Sequence, residues 1–374
     1  SKVGKPYSMF FTCALYLTIG PFFAIPRCAT TSYTVGLEHI LPEGHARLYL
    51  FLFTLAFFIA ALLFSLYPGK ILTWVGKILN PCFLVFLGIL VIVAMLDPSA
   101  SISSVAPAGD YATQPFFAGF LDGYNTMDIL AGLAFGIVVV RVIQGLGVED
   151  PDAVASNTVK AGVFSCLLMG AIYLAVTVVG VQSRGLFETS ENGGIALAQI
   201  AQHYLGNVGL FILAATVTLA CLKTAVGLIT SCGETFADLF PGLMSYRSWA
   251  IVFTGVSFLF SNLGLSTIIE YSIPVLMFLY PLAITLILLA LFGRFYGHDR
   301  RVAVCVTVFT LVGALYDFVR SLPLWLLTSC HLDGVLETLK ETLPLAKLGL
   351  FWLCPALIGL ALGLILHAMS GKKQ

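Results

Sequence analysis

"FLDGYNTMDILAGLAFG", residues Phe120 to Gly136, is the stretch on which the fold turns. The apolar piece before Asp122 holds about seven residues, too few to cross roughly 30 Å of hydrocarbon, which takes about 20 helical residues. The apolar piece after Asp128 runs to Val140 and also falls short alone. Between them lies a polar, turn-favouring run. Asn125, followed three residues later by Asp128, resembles a capping box and so the start of a fresh helix. The expected element over 115–144 is a discontinuous helix. Such a helix exposes N–H groups at one end and carbonyls at the other, and transporters use these ends to hold a carboxylate and a cation near the midplane. A loop followed by one short span is the plainer reading of the same residues.

The rest of the chain sets that break in a membrane. Of 374 residues 59% are hydrophobic and only 10% charged, with a mean hydropathy of +0.98. A soluble domain carries about 25% charged residues. Ten apolar stretches read as spanning helices: 7–36, 46–67, 69–96, 115–144, 157–183, 207–236, 245–262, 266–292, 301–320 and 344–369. The fold class is an all-α polytopic membrane protein, one transmembrane domain over 1–374. Zero net charge and a pI near 7 point to no nucleic-acid partner. Nine cysteines are scattered singly, with no CxxC and no Cys/His cluster, so they read as buried small hydrophobes rather than a disulfide framework or a metal site. The start "SKVGKPYS" has neither Met nor a signal-peptide pattern and reads as a cropped beginning.

Loop charges give an orientation. With the N-terminus cytoplasmic, the inside segments hold Lys2, Lys5, Lys70, Lys77, Arg141, Lys160, Arg247, Arg294, Arg300, Arg301, Lys372 and Lys373. The outside segments hold only Arg47, Arg184, Arg320, Lys340 and Lys347. Both termini are expected in the cytoplasm. The connections 97–114 and 321–343 are then external, and the second has room for a short surface helix.

Two further stretches break the apolar pattern. "LTIGPFFAIPRCATTSY", Leu17 to Tyr33, carries Gly20, Pro21, Pro26, Arg27 and a run of hydroxyls. Each proline removes a backbone donor and frees a carbonyl. Gly20 permits close approach of another backbone, and Tyr16 lies one turn before it. A kinked helix packed on its neighbours, with Arg27 reaching an interface, accounts for these residues as well as a site-lining role does. In "TLACLKTAVGLITSCGETF", Thr218 to Phe236, Lys223 falls mid-helix with no acidic residue before Glu234. An ammonium at the bilayer centre costs about 2.5–3.5 kcal/mol on insertion scales, so Lys223 is expected to face protein or water. Thr224, Thr230 and Ser231 supply oxygens nearby, and Gly227 allows tight packing. A structural lysine reaching a carbonyl is the alternative. Glu270 and Asp317 carry less weight because both fit interfaces. No histidine falls near a span centre.

"LYLTIGPFFAIPRCATTSY" closely resembles the third-helix signature of bacterial branched-chain amino acid:cation symporters, the BrnQ-type carriers. "GFLDGYNTMDILAGLAFGIVV" resembles that family's sixth helix, and "LACLKTAVGLITSCGETF" its eighth. The resemblance runs in order along essentially the whole chain. It implies uptake of leucine, isoleucine and valine across the bacterial cytoplasmic (inner) membrane, coupled to Na+ or H+ and without an organic cofactor. It also implies a LeuT-like fold of inverted repeats: 1–96 as the remainder of a first repeat, 115–292 as the second, and two C-terminal helices over 301–369. Two family helices upstream of the first span have no counterpart here. By the same resemblance Tyr16, Thr18, Gly20, Gly123, Tyr124, Asn125 and Thr126 border the substrate cavity. Lys223, Thr224 and Gly227 stand at the cation position. Many relatives carry a hydroxyl residue where this chain has Lys223, which implies coupling to protons, or none, rather than to sodium.

Other classes fit less well. An intramembrane enzyme lacks HExxH and GxSxG, and Tyr316-Asp317 has no GxGD partner. Broken helices without a filter-like repeat or a pore-lining charge ring favour a carrier over a channel. A carrier for another amino acid or a metabolite, or an inactive fragment, is the remaining alternative.

Overall fold

A computed structural model describes residues 3–38, 41–67, 70–148, 150–329 and 333–371. Lys2, Lys372 and Lys373, which carry part of the charge bias, lie outside the described residues, as do Cys330, His39 and His331. So do the side chains of Lys70, Lys77 and Arg141. Among the described residues the chain is helical, without strands. The helices are α1 (Lys5–Leu17), α2 (Ala24–Gly36), α3 (Ala46–Leu66), α4 (Lys70–Leu96), α5 (Pro115–Asp122), α6 (Asp128–Gly145) and α7 (Pro151–Ser183). Then follow α8 (Gly193–Leu239), α9 (Tyr246–Ser261), α10 (Leu265–Leu291), α11 (Arg300–Arg320), α12 (Leu324–Ser329), α13 (Asp333–Thr342) and α14 (Leu353–Gly371). Six of the described helical segments are long and apolar enough to cross a membrane unaided, and Pro81–Leu96 and Leu353–Met369 are shorter apolar helices. The room foreseen for a surface helix in 321–343 holds α12 and α13.

The chain forms two compact units. One comprises Ser1–Ile19, Ala108–Ala131 and Thr267–Gln374, the other Gly20–Pro107 and Gly132–Ser266.

In the first unit glycines set the packing of α11 on α14. A Cβ on Gly359 would lie 2.8 Å from the Cys305 carbonyl oxygen, and one on Gly363 would lie 2.8 Å from Val302 Cα. Gly359 and Gly363 stand four apart on one helix face, the spacing that lets two membrane helices bring their backbones together. Gly313 continues the seam from the α11 side, where a Cβ would meet Trp352 Cα at 2.4 Å. Asp299 caps α11 by accepting the Arg301 N–H at 2.8 Å, and its other oxygen meets His367 Nδ1 of α14 at 2.8 Å. The last span starts later than its apolar pattern indicates. Residues 345–352 form a compact turn, with Leu345 and Gly349 left-handed at φ 61° and 70°, before α14 begins. Pro344 and Gly349 are the local cause, since neither sits well inside a helix.

In the second unit α8 is the central element and packs against α2, α3, α4 and α9. Its core joins Val35, Leu90, Ala94, Ile200 and Leu213. α8 also begins earlier than its apolar pattern indicates. Asn192 caps it by accepting the N–H groups of Gly194 and Ile195, and the helix kinks at Gly206, where φ is 63°. Tyr246 stitches α9 to α3 by donating its hydroxyl to the Ser65 carbonyl at 2.8 Å. α7 is 33 residues long, and only 6% of its apolar window is buried in protein. The cysteines are not uniformly buried: Cys232 is enclosed, but Cys82 and Cys166 are exposed on apolar helices, where lipid is their solvent.

Candidate functional site

The first-unit site is built on the break that the sequence announces. α5 ends at Asp122, residues Gly123–Thr126 form a 3-10 turn, and Met127 is left-handed at φ 60° before α6 starts at Asp128. The fresh helix begins where the capping pattern placed it. Thr126 Oγ1 receives the Asp128 N–H at 3.5 Å, and it donates to the Gly123 carbonyl at 2.8 Å. Gly123 and Thr126 are exposed, Asn125 is half-buried and Tyr124 is buried. Tyr111, in the connection before α5, donates to Asp122 Oδ2 at 2.6 Å. That bond, with burial and the carboxylate's charge behind it, pushes the Tyr111 phenol up to about 12.

Beneath the break Tyr124 stacks on Tyr280 of α10, ring centroids 4.1 Å apart and planes 18° from parallel. Asp317 of α11 is only 3% exposed. Its Oδ2 accepts the backbone N–H of Trp352 at 3.3 Å. The Trp352 indole N–H faces the Tyr124 hydroxyl without reaching hydrogen-bonding geometry. Trp352 thus ties the turn before α14 both to Asp317 and to the broken helix. An apolar cavity of about 390 Å³ opens beside Trp352 between α10, α11 and α14, lined by Leu289, Val306, Ala356 and Leu360 among others. Its lining has few polar groups and suits a hydrocarbon rather than an amino acid's charged ends.

The sequence of α11 lets Asp317 sit at an interface, whereas the fold buries it. The available signal was position: Asp317 falls in the last turn of a 21-residue apolar helix, four residues after Gly313. What reaches it from a distant turn was not legible.

Tyr16 and Thr18 also belong to the first unit and are buried, Thr18 at 3% exposure in the wide turn Thr18–Phe22 that follows α1. Gly20 belongs to the second unit and is non-helical, with φ −94° and ψ −121°. The approach it permits is by a side chain, not a backbone: a Cβ there would lie 2.7 Å from Cys232 Sγ of α8. The hydroxyls that follow are spent locally. Thr30 donates to the Pro26 carbonyl at 3.1 Å and Ser32 to the Cys28 carbonyl at 2.8 Å. These are the ordinary back-bonds of helical hydroxyls and do not reach the carbonyls that Pro21 and Pro26 free one turn earlier.

The second-unit candidates lie along α8. Lys223 is half-buried, and among the described residues no carboxylate pairs with it. Thr224 donates to the Ala220 carbonyl at 3.0 Å and is exposed. Gly227 departs from expectation: among the described residues no neighbouring element comes within 4 Å of where its Cβ would be, so no tight packing is made there. The close approach is made instead at Gly233, two turns on, where a Cβ would meet the Tyr246 ring at 3.0 Å. Among the described residues no group of histidine, cysteine or carboxylate side chains is arranged to hold a metal ion.

Long apolar helices, one of them interrupted at Thr18–Phe22, together with the broken pair α5 and α6, whose breaks carry the buried Thr18 and Tyr124, define a multi-pass membrane transporter. The comparisons name the group. The profile of the family described as "Branched-chain amino acid transport protein" matches residues 1–370, and the chain belongs to that family. It is similar to the branched-chain amino acid permease BrnQ of Lactobacillus delbrueckii subsp. lactis, 48% identical over 373 residues, covering 100% of this chain and 83% of the relative. It is 38% identical over 372 residues to the branched-chain amino acid transport system 2 carrier protein of Pseudomonas aeruginosa, covering 82% of it. A BrnQ permease of Bacillus subtilis is 36% identical over the same length and coverage. These are carriers, not enzymes.

Proposed function

We propose that this protein takes up leucine, isoleucine and valine across the bacterial cytoplasmic membrane by cation symport with alternating access, both termini facing the cytoplasm. The observation that carries the reading is the helix break at Gly123–Met127 in a chain whose relatives are branched-chain amino acid carriers. Broken-helix ends offer the bare N–H and carbonyl groups that a zwitterion's two charged ends require, and Tyr124 and Asn125 stand at that break. An apolar pocket then takes the side chain. One methylene is worth about 1–3 kcal/mol in such a pocket, so the three substrates compete at similar concentrations.

The repeat reading accompanies this one: 1–96 as the remainder of a first repeat, 115–292 as an inverted second repeat, and 301–369 outside both. Lys223, Thr224 and Gly227 carry the coupling role, with the Lys223 ammonium standing in for a metal cation and coupling therefore to protons. The unpaired, half-buried state of Lys223 among the described residues supports this.

Isoleucine uptake by the full-length protein in proteoliposomes tests both parts. Uptake driven by an inward proton gradient without sodium supports the reading. An absolute sodium requirement sinks the role given to Lys223, and no uptake of any branched-chain amino acid sinks the function. Lys223→Thr is expected to introduce sodium dependence. Unchanged ion dependence in that variant refutes the assignment.

A further inference from the structure

We propose that Asp317, buried beside Trp352 beneath the helix break, is a proton-binding site whose carboxyl group takes up and releases a proton as substrate occupies and leaves the break. The proposal rests on the transport reading for its substrate and adds a site to it.

Three buried polar atoms here lack a hydrogen bond of good geometry: Asp317 Oδ1, and the Trp352 indole nitrogen and Tyr124 hydroxyl that face each other. All three side chains are at most 5% exposed. Leaving a buried polar atom unpaired costs about 1–3 kcal/mol, more for a charged one, so the bare carboxylate oxygen is the costliest of the three while Asp317 is ionised. An ionisable residue inside a membrane segment is a functional site by default.

The surroundings of Asp317 select the ligand. Its Oδ2 accepts the Trp352 backbone N–H. Arg320, one turn on in the same helix, bears on it electrostatically but gives a hydrogen bond to the Ala346 carbonyl and forms no ion pair with it. Tyr316 of the same helix and Tyr124 from the broken helix feel its charge in turn. Tyr280 of α10 stacks behind Tyr124. The neighbours that the structure gives this carboxyl are the Trp352 N–H in contact and, through charge, Arg320, Tyr316 and Tyr124. A metal cation needs several oxygen ligands. Among the described residues no group of histidine, cysteine or carboxylate side chains is gathered here to supply them, and the Arg320 charge opposes a second cation. A proton needs one lone pair, and Oδ1 has its lone pairs bare. Once protonated, that oxygen becomes a donor and the Tyr124 hydroxyl an available acceptor.

Tyr124 supplies the link to substrate. It belongs to the turn Gly123–Thr126, so a ligand settling on the break moves or holds the hydroxyl that Asp317 senses. Gly313 supplies the closeness. With a Cβ there, Trp352 Cα would be met at 2.4 Å, and the Trp352 N–H could not keep its bond to Asp317 one turn further on. The proton comes from water, forms an O–H bond at Oδ1 and returns to water on release, and no other bond changes.

Full-length protein in proteoliposomes provides the test, with isoleucine as the probe. In infrared difference spectra of the wild type, a pH step and isoleucine addition are each expected to produce a carboxylic-acid C=O band that Asp317→Asn removes and Asp317→Glu shifts. Asp317→Asn is expected to keep isoleucine counterflow, which needs no driving ion, and to lose accumulation driven by a proton gradient. Asp317→Glu is expected to regain accumulation with a displaced pH profile. A carboxylic-acid band untouched by both variants overturns the proposal, as does Asp317→Asn protein that concentrates isoleucine on a proton gradient like the wild type. Should the asparagine variant not fold, an unchanged band and pH profile in Asp317→Glu overturn it equally. The pH-step spectrum needs no transport. A wild type that moves no isoleucine therefore defeats the functional reading while this band still reports on Asp317.

Discussion

Gly20 offers the sharpest test of how the first break is held. Its replacement by alanine would put a Cβ 2.7 Å from Cys232 Sγ and 3.8 Å from Cys232 Cβ. Non-bonded carbons settle at about 3.5–4.0 Å, so the new methyl and the sulfur overlap by about 1 Å and the two segments must part. Overpacking of this kind costs about 1–3 kcal/mol. Cys232→Ala removes the sulfur and leaves only the 3.8 Å contact, an ordinary one. Alone it is expected to cost about 1 kcal/mol through lost packing. The double variant should therefore be more stable than Gly20→Ala, although it carries one substitution more. The coupling recovered is about 1–3 kcal/mol, within the range for residues in direct contact. Thermal unfolding in detergent measures this, and initial rates of isoleucine uptake in proteoliposomes follow the same order. Additive effects, or a double variant worse than Gly20→Ala, would refute the reading that glycine is needed at position 20 to make room for Cys232.

Further expectations are open to simpler assays. Gly363→Val drives a branched side chain against Val302 Cα and should cost about 1–3 kcal/mol, seen as a lowered unfolding temperature, whereas Gly227→Ala on an open face should not lower it. The Asp299 carboxyl is held below the usual carboxylate range by the Arg301 N–H first and His367 second. Its stabilising effect is present above the ordinary carboxylate value and lost as pH falls through the depressed one. Asp299→Ala should thus lower thermal stability at neutral pH and converge with the wild type in acid. Tyr111, raised to about 12, contributes stability below pH about 10 that is lost as pH rises through 12. A difference titration of wild type against Tyr111→Phe, followed by phenolate absorbance, should show one late-ionising tyrosine.

Much of this architecture was legible because bilayers leave a chain few options. Backbone groups in hydrocarbon must pair within their own helix, so apolar runs and polar interruptions translate directly into spans and breaks. The break at Gly123–Met127 followed from a seven-residue polar run that no lipid-facing helix tolerates. The early start of α8 escaped because its first turns, "GGIALAQIAQHYL", are only mildly apolar and are decided by the Asn192 cap and the buried Ile200 and Ala201. The turn at 345–352 escaped for the opposite reason: it is apolar enough to read as helix, and Gly349 turns it through a left-handed φ of 70°. Asp317 shows the general case. Its position in sequence was plain, but its enclosure depends on Trp352, 35 residues away, and on a glycine one turn before it.

The bareness of α7 ties the protein to the thickness of its membrane. From Ala161 to Val181 this helix is apolar over 21 residues, about 32 Å at 1.5 Å per residue, close to an average hydrocarbon core. Its first ten residues, Pro151 to Lys160, are more polar and belong at the headgroup level. A helix with so little protein around it has acyl chains for most of its neighbours, and mismatch between their length and its 21 apolar residues carries a modest free-energy cost for every ångström. Lipid acyl length thereby becomes part of this protein's folding energy, through a helix whose contacts with α4 and α8 must absorb the mismatch.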